Sequence, residues 1–152
     1  MQSSVVLTQL CDLLDTAHTL QASLGREARI QTGLRLEQLV VLFRIESSGG
    51  NITVSQLAAA NSRASHTMTS MVTNLEKAGL VVRERQEKGD RRQVWVRLTP
   101  EGEAKTEAFR CSTEAIIASV LSSVTDEELL DRLAGITQGI RRLFKGPPTP
   151  EG

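Results

Sequence analysis

The chain has 152 residues, and its 18 basic and 18 acidic side chains give a net charge of zero. That length suits one domain with a sizeable core. Its two cysteines are too few and too far apart for a disulfide framework or a zinc knuckle. We expect a soluble cytoplasmic protein, since there is no basic N-terminal segment and no apolar run near the roughly 18 residues of a membrane span.

Charge is concentrated locally although the total is balanced. From Arg63 to Arg97 there are eight basic and four acidic residues, whereas the remainder has ten basic and fourteen acidic residues. A local basic patch is enough for phosphate binding, because each neutralised phosphate releases counterions. The pattern predicts double-stranded DNA as a partner, bound by one face of the protein.

The N-terminal third has the spacing of amphipathic helices. Over residues 5–29 apolar side chains recur every three or four positions, which predicts a long first helix. A second helix is predicted over Leu36–Ser47. It ends at Gly49 and Gly50, which can adopt the left-handed conformation that a helix stop needs, and a short extended piece follows at residues 51–52.

A helix-turn-helix pattern follows. Thr53 and Gln56 have the spacing of a capping box that opens a short third helix, Val54–Ala60. A polar turn at residues 61–62 leads to a fourth helix over residues 63–78, which stops at Gly79. The apolar positions expected to face inward on this helix are Met68, Met71, Val72 and Leu75.

Two alternating strands come next. They are predicted over residues 80–85 and 93–98, and a basic loop at residues 87–92 connects them. Trp95 is expected to be a strand residue that covers the lobe. A helix followed by a charged hairpin is the order of a winged helix-turn-helix, which binds DNA.

The C-terminal third predicts two further helices. Thr99 and Pro100 form a cap and a first-turn proline, so a fifth helix runs to about Ser122. A capping box at residues 125–128 opens a sixth helix with apolar residues close to heptad spacing. A seam of small residues on the fifth helix consists of Ala104, Ala108, Cys111, Ala115 and Ala118.

The predicted fold class is mainly α with a small β-hairpin wing, organised as a winged helix-turn-helix lobe and a helical dimerisation stem. The outer helices have more apolar surface than so small a DNA-binding unit can cover, which predicts a homodimer. Residues 1–32 would form an N-terminal dimerisation helix, 33–99 the DNA-binding lobe, 100–145 the C-terminal dimerisation helices and 146–152 a disordered tail.

Polar side chains of the fourth helix and the hairpin are the candidate DNA contacts. Hydroxyl residues are mediocre helix formers, yet four lie within six positions. Hydroxyls can donate hydrogen bonds to phosphates and can contact base edges. The alternative is that these residues are simply solvated on the helix surface. The predicted contacts are Arg63, Ser65, His66, Thr67, Thr69, Ser70 and Asn74 on the helix, with Lys88, Asp90, Arg91 and Arg92 on the wing.

Together these elements resemble the MarR family of winged-helix transcriptional regulators. The resemblance runs through Leu57-Ala58, residues 71–81, Gly89-Asp90-Arg91-Arg92 and residues 96–102, and the helix order extends it over nearly the whole chain. It implies a two-fold dimer whose first, fifth and sixth helices pair, and which binds a pseudo-palindromic operator, usually as a repressor. In the family a small aromatic acid, a metal or an oxidant often releases the DNA.

The resemblance also implies roles for the wing residues. Asp90 and Arg92 match the family's Asp-x-Arg pattern, in which the arginine enters the minor groove and the aspartate holds it extended. Arg91 would then meet a phosphate. The chain departs from the family at Arg63-Ala64-Ser65-His66-Thr67, where Ser-Arg-Ser-Thr is usual, and at Gly33-Leu34-Arg35, where Thr or Ser commonly precedes the second helix.

Other candidate sites concern small molecules and oxidants. His18, Arg26 and Arg29 could anchor the carboxylate of an inducer such as an aromatic acid where the stem meets the lobe. The alternative is that they are ordinary solvent-exposed residues. We expect Cys11 and Cys111 to be buried small hydrophobes. The alternative, oxidant sensing, needs an accessible thiolate of low pKa, and the tyrosines that surround the family's peroxide-sensing cysteine are absent here.

Enzymatic functions are not indicated. The sequence has no Gly-rich phosphate loop, no His-Glu-x-x-His motif and no nucleophile with its base, so we expect neither an enzyme, nor a cofactor, nor a metal site. Two alternatives to a repressor stay open. One is an activator or counter-silencing architectural DNA binder, and the other is a protein-interaction module that has kept the fold but lost DNA binding.

Overall fold

The computed structural model describes residues 2–61, 63–85, 94–122 and 135. In chain order its elements are α1 (Gln2–Thr32), α2 (Leu36–Ser47), β1 (Ile52–Thr53), α3 (Val54–Ala60), α4 (Ser65–Lys77), β2 (Val81–Arg85), β3 (Val94–Leu98) and α5 (Pro100–Ser122). This arrangement confirms the predicted fold class of a mainly α protein with a small β-hairpin wing. The predicted sixth helix, the hairpin tip and the C-terminal tail lie outside the described residues.

Local end signals explain most helix bounds. Thr53 Oγ1 accepts from Gln56 N at 3.2 Å and Gln56 Oε1 accepts from Thr53 N at 2.9 Å, so the predicted capping box is confirmed. Thr99 Oγ1 accepts from Gly102 N at 3.1 Å, which caps α5 where predicted. Helix α2 starts without a hydroxyl cap, since the residue before it is Arg35. Instead, Gln38 Oε1 accepts from Arg35 N at 3.0 Å.

Several predicted bounds differ from the observed ones. Helix α1 is longer than residues 5–29: it runs from Gln2 to Thr32, and in its last turn Thr32 Oγ1 donates to Ala28 O at 2.6 Å. Helix α4 is shorter than residues 63–78 and begins after Ala64. The left-handed stop at Gly49 and Gly50 is confirmed by φ angles of 63° and 76°.

The sheet has one strand more than the sequence predicted. The extended piece after Gly50 is β1, which pairs antiparallel with β3, so the strand order is β1-β3-β2. The predicted hairpin pairs β2 with β3 in a register from Val81 opposite Leu98 to Arg85 opposite Val94. Trp95 is half-buried and lies opposite Thr53 on one side and Glu84 on the other.

The core lies within the lobe, where α2, α3, α4 and the sheet meet. Its inner side chains from α2, α3 and α4 are fully buried, and Phe109 of α5 and Ala28 of α1 close it on the side of the long helices. The inward face predicted for α4 is confirmed. The largest fully buried apolar side chains are Leu39, Leu42, Ile45, Leu57, Met68 and Leu75.

The outer surfaces of the long helices are apolar and exposed in the single chain. Large exposed apolar side chains of α1 include Leu7 at 62% and Leu14 at 66%, and Ile117 of α5 is 47% exposed. Among the described residues, no helix combines the length and the apolarity that crossing a bilayer would require.

The predicted burial of the cysteines is wrong for the single chain. Cys11 and Cys111 are both exposed, as is the small-residue seam of α5. The reason is the rotation of α5: its opposite face meets the rest of the protein through Thr106, Phe109 and Thr113, all buried.

Candidate nucleic-acid interface

Helix α4 has a buried apolar face and an exposed polar face. The predicted DNA contacts Ser65, His66, Thr69, Ser70 and Asn74 are all exposed, Thr67 is half-buried, and Arg63 is exposed just before the helix. The structure therefore brings the predicted helix residues together along one surface, supported from behind by the lobe core. Such a surface can enter a major groove without disturbing the packing.

The N-terminus of α4 has no side-chain cap. Ala64 occupies the cap position with extended backbone, and it has no oxygen that could accept from the first-turn N–H groups. The first helical hydrogen bond runs from Met68 N to Ala64 O at 3.1 Å. Because helix N-termini favour anions, the first-turn N–H groups of α4 are suited to a backbone phosphate.

Two of the α4 hydroxyl groups that were predicted to contact DNA, those of Thr69 and Ser70, are already engaged as donors. Thr69 Oγ1 donates to Ser65 O at 2.9 Å and Ser70 Oγ donates to His66 O at 3.0 Å. In this state each oxygen can still accept, for example from an amino group on a base edge. Donation to a phosphate, which the sequence suggested, would require the hydroxyl to rotate away from its carbonyl.

Arg83 of β2 connects the wing to helix α4, a role that sequence reasoning missed. Its Nη2 donates to Thr73 Oγ1 at 2.8 Å and to Thr69 O at 3.2 Å, and its Nη1 lies 3.6 Å from the Glu76 carboxylate. One side chain of β2 thus holds three groups of α4. The spacing of Thr69, Thr73 and Glu76 along one helix face was the available signal.

The base of the wing is tied to the end of α4. Thr99 Oγ1 donates to Gly79 O at 2.6 Å, and Thr99 N donates to Leu80 O at 3.1 Å. Gly79 has a φ of 72°, the left-handed conformation that turns the chain from α4 into β2. The predicted wing contacts Lys88, Asp90, Arg91 and Arg92 lie outside the described residues, so their positions stay predictions.

A cavity of about 560 Å³ lies between α1 and α2. It is open to solvent, and it brings together the three residues predicted to bind a ligand, His18, Arg26 and Arg29, all with exposed side chains. Arg35 and Glu37 at the start of α2 also line it; the sequence did not single them out. We call it the α1–α2 cavity, and its remaining lining residues are Gln21, Ala22, Gly25 and Leu36.

A polar cluster joins α2 to α5. Glu46 accepts from Arg110 Nη2 at 2.7 Å and from Thr106 Oγ1 at 3.2 Å. The Arg110 guanidinium lies 5.7 Å from the centre of the Phe43 ring, which packs against Phe109. The hydrogen bond to Glu46 raises the pKa of Arg110 above its ordinary value. The cluster couples the DNA-binding lobe to the long C-terminal helix.

Cys111 is accessible, but its environment disfavours the thiolate. Its Sγ lies 3.4 Å from Glu107 Oε1, and this hydrogen bond, together with the carboxylate charge, raises the pKa of the thiol. Arg110, which pairs with Glu107, opposes that effect only weakly. Oxidant sensing needs a thiolate of low pKa, so the environment of Cys111 does not favour it.

A helix-turn-helix whose second helix is held by an antiparallel wing defines the class of winged helix-turn-helix proteins. Residues 34–94, from two residues before α2 to the first residue of β3, match a sequence model of the MarR family. The chain belongs to the MarR family, as the sequence resemblance indicated.

One relative is similar in sequence, and two solved structures are similar in fold. The HTH-type transcriptional repressor MdtR of Bacillus subtilis is 34% identical over 104 residues, which is 68% of this chain and 66% of MdtR. The MarR family regulator AbsC of Streptomyces coelicolor has the same fold, with a TM-score of 0.77 at 22% identity over 93% of this chain and 95% of AbsC. MepR of Staphylococcus aureus, in complex with DNA, gives a TM-score of 0.72 at 21% identity over 86% and 93% of the two chains.

Proposed function

We propose that this chain is a sequence-specific DNA-binding repressor of transcription that acts as a homodimer on a pseudo-palindromic operator. The observation that carries the proposal is helix α4, whose exposed face bears the polar residues from Ser65 to Asn74 while its other face is buried in the core. The relative MdtR is described as a repressor, and MepR occurs in complex with DNA. Such a regulator works at the chromosome, in the cytoplasm.

The exposed apolar residues of the outer helices support the dimer. Leu7, Leu13 and Leu14 are each more than half exposed, and monomeric proteins rarely expose large contiguous apolar patches. We assign residues 1–32 and 100–145 to the dimer stem and residues 33–99 to the DNA-binding lobe. Light scattering of the full chain tests this: a variant that carries Leu13→Asp and Leu14→Asp should become monomeric.

The α1–α2 cavity is the proposed site of a small-molecule inducer. Arg26 and Arg29 would bind the carboxylate of an aromatic acid, and His18 would contact its body. The cavity lies at the junction of the stem helix α1 with α2, the first helix of the lobe. A bound ligand would therefore change the orientation of α1 relative to α2. A ligand bound there should lower operator affinity, whereas a chain with both arginines changed to Gln should keep its affinity when ligand is added.

The DNA-binding role of α4 can be tested once the operator is known. Selection from random-sequence DNA or a genomic binding map would identify it. Fluorescence anisotropy at fixed salt would then compare Thr69→Val with Thr19→Val. Thr19 is a matched control, because it is exposed on α1 and donates to Asp15 O at 2.9 Å, just as Thr69 donates to Ser65 O. The proposal requires a loss of affinity for Thr69→Val and His66→Ala and none for Thr19→Val.

Two other outcomes would change the functional assignment. A broad and weakly specific footprint, with transcription rising when the protein binds, would indicate a counter-silencing architectural activator. Failure to enrich any sequence, with salt-insensitive behaviour towards DNA, would indicate a protein-interaction module that has lost DNA binding.

A further inference from the structure

The carboxylate of Glu46, in the last turn of α2, is held by two residues of α5. Its Oε2 accepts from Arg110 Nη2 at 2.7 Å. Its Oε1 lies 3.2 Å from Thr106 Oγ1, whose hydrogen is shared with Glu103 O at 2.9 Å. Thr106 and Arg110 are one turn apart on α5, so both oxygens of one carboxylate are bound by the same helix. This arrangement fixes the end of α2 both along α5 and in direction.

The Arg110 guanidinium is itself oriented by its surroundings. Its Nη1 pairs with Glu107 on α5, and its plane lies 5.7 Å from the centre of the Phe43 ring. Because a guanidinium is a rigid fork, these contacts aim Nη2 at Glu46. The neighbouring contact between Phe43 and Phe109, with ring centres 6.1 Å apart, is apolar and non-directional. The ion pair therefore restricts the angle between α2 and α5 more than the aromatic contact does.

Stability alone does not account for this ion pair. The side chains of Arg110 and Glu46 are 48% and 32% exposed, and ion pairs that water reaches to this extent stabilise a fold only slightly. A carboxylate in the last turn of a helix is also disfavoured by the helix dipole, so Glu46 does not favour α2 by itself. The directional contact with α5 is what Glu46 provides, and its removal should leave the protein folded.

We propose that Glu46 and Arg110 are positioning residues that set the distance between the two α4 helices of the dimer. Helix α5 belongs to the stem, whereas Leu42 of α2 and Leu75 of α4 lie in the one core of the lobe, so α4 turns with α2. A change of angle between α2 and α5 moves α4, and the two-fold axis repeats that movement in the other copy. The inference rests on the proposed function, and it names the residues that select the spacing of the half-sites.

The first measurement is the spacing preference of the full chain for DNA. Anisotropy at fixed salt compares the selected operator with operators whose half-sites are one base pair closer or farther apart. The unmodified chain should prefer the selected spacing by about tenfold, and Arg110→Gln should reduce this preference by about threefold or more. Arg110→Lys should reduce it less, since it keeps the charge but loses the fork. A variant that is only less stable would lose affinity for all three operators by the same factor.

The second measurement is the distance between the α4 helices without DNA. A nitroxide label at His66→Cys, in a Cys11→Ser and Cys111→Ser background, places one spin on each exposed α4 surface. Double electron–electron resonance then gives the distribution of distances between the two labels. Arg110→Gln should broaden this distribution, because α2 is no longer fixed in direction on α5. Glu46→Gln, which hardly changes the volume of the side chain, should broaden it as well and keeps the test decisive if Arg110→Gln fails to fold.

Lys105→Gln is the matched control, because it removes a charge whose partner Glu101, at 3.9 Å, lies on the same helix. It should change neither the spacing preference nor the distances. An unchanged spacing preference or an unchanged distance distribution in Arg110→Gln would overturn the proposal, as would equal effects of Lys105→Gln. If the unmodified dimer enriches no operator, the proposed function fails, and the distance measurement still decides whether the Glu46–Arg110 pair sets the separation of the α4 helices.

Discussion

Arg83 of β2 donates to Thr73 of α4 across 2.8 Å, from Nη2 to Oγ1. The same nitrogen reaches Thr69 O one turn earlier, and Nη1 faces Glu76. A winged-helix protein places its recognition helix and its wing in neighbouring grooves. The Arg83–Thr73 hydrogen bond therefore fixes the angle between α4 and β2, the two elements proposed to contact DNA.

Removing this connection should weaken DNA binding without unfolding the lobe. Arg83→Ala is expected to cost about 1–2 kcal/mol of operator binding, and Thr73→Val about 1 kcal/mol, because the recognition helix is no longer pre-positioned. The two losses should be less than additive in the double variant, since both remove one interaction. Anisotropy at fixed salt measures them. Strictly additive losses would mean that Arg83 acts on DNA directly.

Local signals explain why much of the fold could be predicted. The Thr53–Gln56 box and the Thr99-Pro100 cap lie within a few residues of the ends they set, so α3 and the start of α5 were predicted correctly. The inward positions of α4 follow from helical periodicity, and so does its polar outer face. His18, Arg26 and Arg29, which the sequence suggested as a carboxylate anchor, all line one cavity with exposed side chains, and ligand binding there stays a prediction.

What the sequence could not supply depends on packing between distant elements. Strand β1 has two residues, too few for an alternating pattern, and it exists because Ile52 pairs with Val96. The spacing of Thr69, Thr73 and Glu76 marks a polar helix face, but contact of that face with Arg83 depends on the angle between β2 and α4, which no local signal encodes. The exposure of Cys111 was predicted wrongly, because the rotation of α5 is set by Phe109 packing against Phe43 and the core, not by the seam of small residues.

Gly102 should be irreplaceable at the start of α5. A Cβ on Gly102 would lie 2.1 Å from Leu80 O, a backbone oxygen that already accepts from Thr99 N, so the helix would have to shift. Gly102→Ala should lower the free energy of unfolding by about 1–3 kcal/mol. Gly25→Ala is the matched control: it lies within α1 with open space around it and should stabilise by about 0.5–1 kcal/mol. Urea denaturation measures both, and equal effects would contradict the close-contact argument.

Glu107 should control the reactivity of Cys111. Because its carboxylate raises the pKa of the thiol, less thiolate is present at neutral pH than for an ordinary exposed cysteine. In a Cys11→Ser background, Glu107→Gln should speed alkylation of Cys111 by iodoacetamide at neutral pH and move the inflection of the pH–rate profile to lower pH. A profile that does not move would show that the hydrogen bond is absent in solution.

The wing arginine should contribute through the minor groove. Arg92→Ala is expected to cost about 1–3 kcal/mol of operator binding per subunit, and Asp90→Ala less, because the aspartate only holds the arginine extended. Arg91→Ala should instead weaken binding to all sequences alike and reduce its salt dependence, as loss of a phosphate contact does. Unchanged affinity of Arg92→Ala at fixed salt would refute the assignment of Arg92.

A two-fold dimer with one α4 helix per lobe also restricts the operator. Both helices should enter successive major grooves on one face of the duplex, so the half-sites should lie about 10 base pairs apart, centre to centre, at about 34–36 Å. The wings would then reach the flanking minor grooves and lengthen the protected site at both ends.

Inserting about five base pairs between the half-sites rotates one half-site by roughly half a turn relative to the other and should abolish tight binding. A full-turn insertion returns both half-sites to one face of the duplex but increases the distance between them. It should therefore also abolish tight binding if the α1 and α5 stem is rigid. Anisotropy on the spaced operators decides between the alternatives, since undiminished affinity at half-turn spacing would mean that the two lobes bind DNA independently.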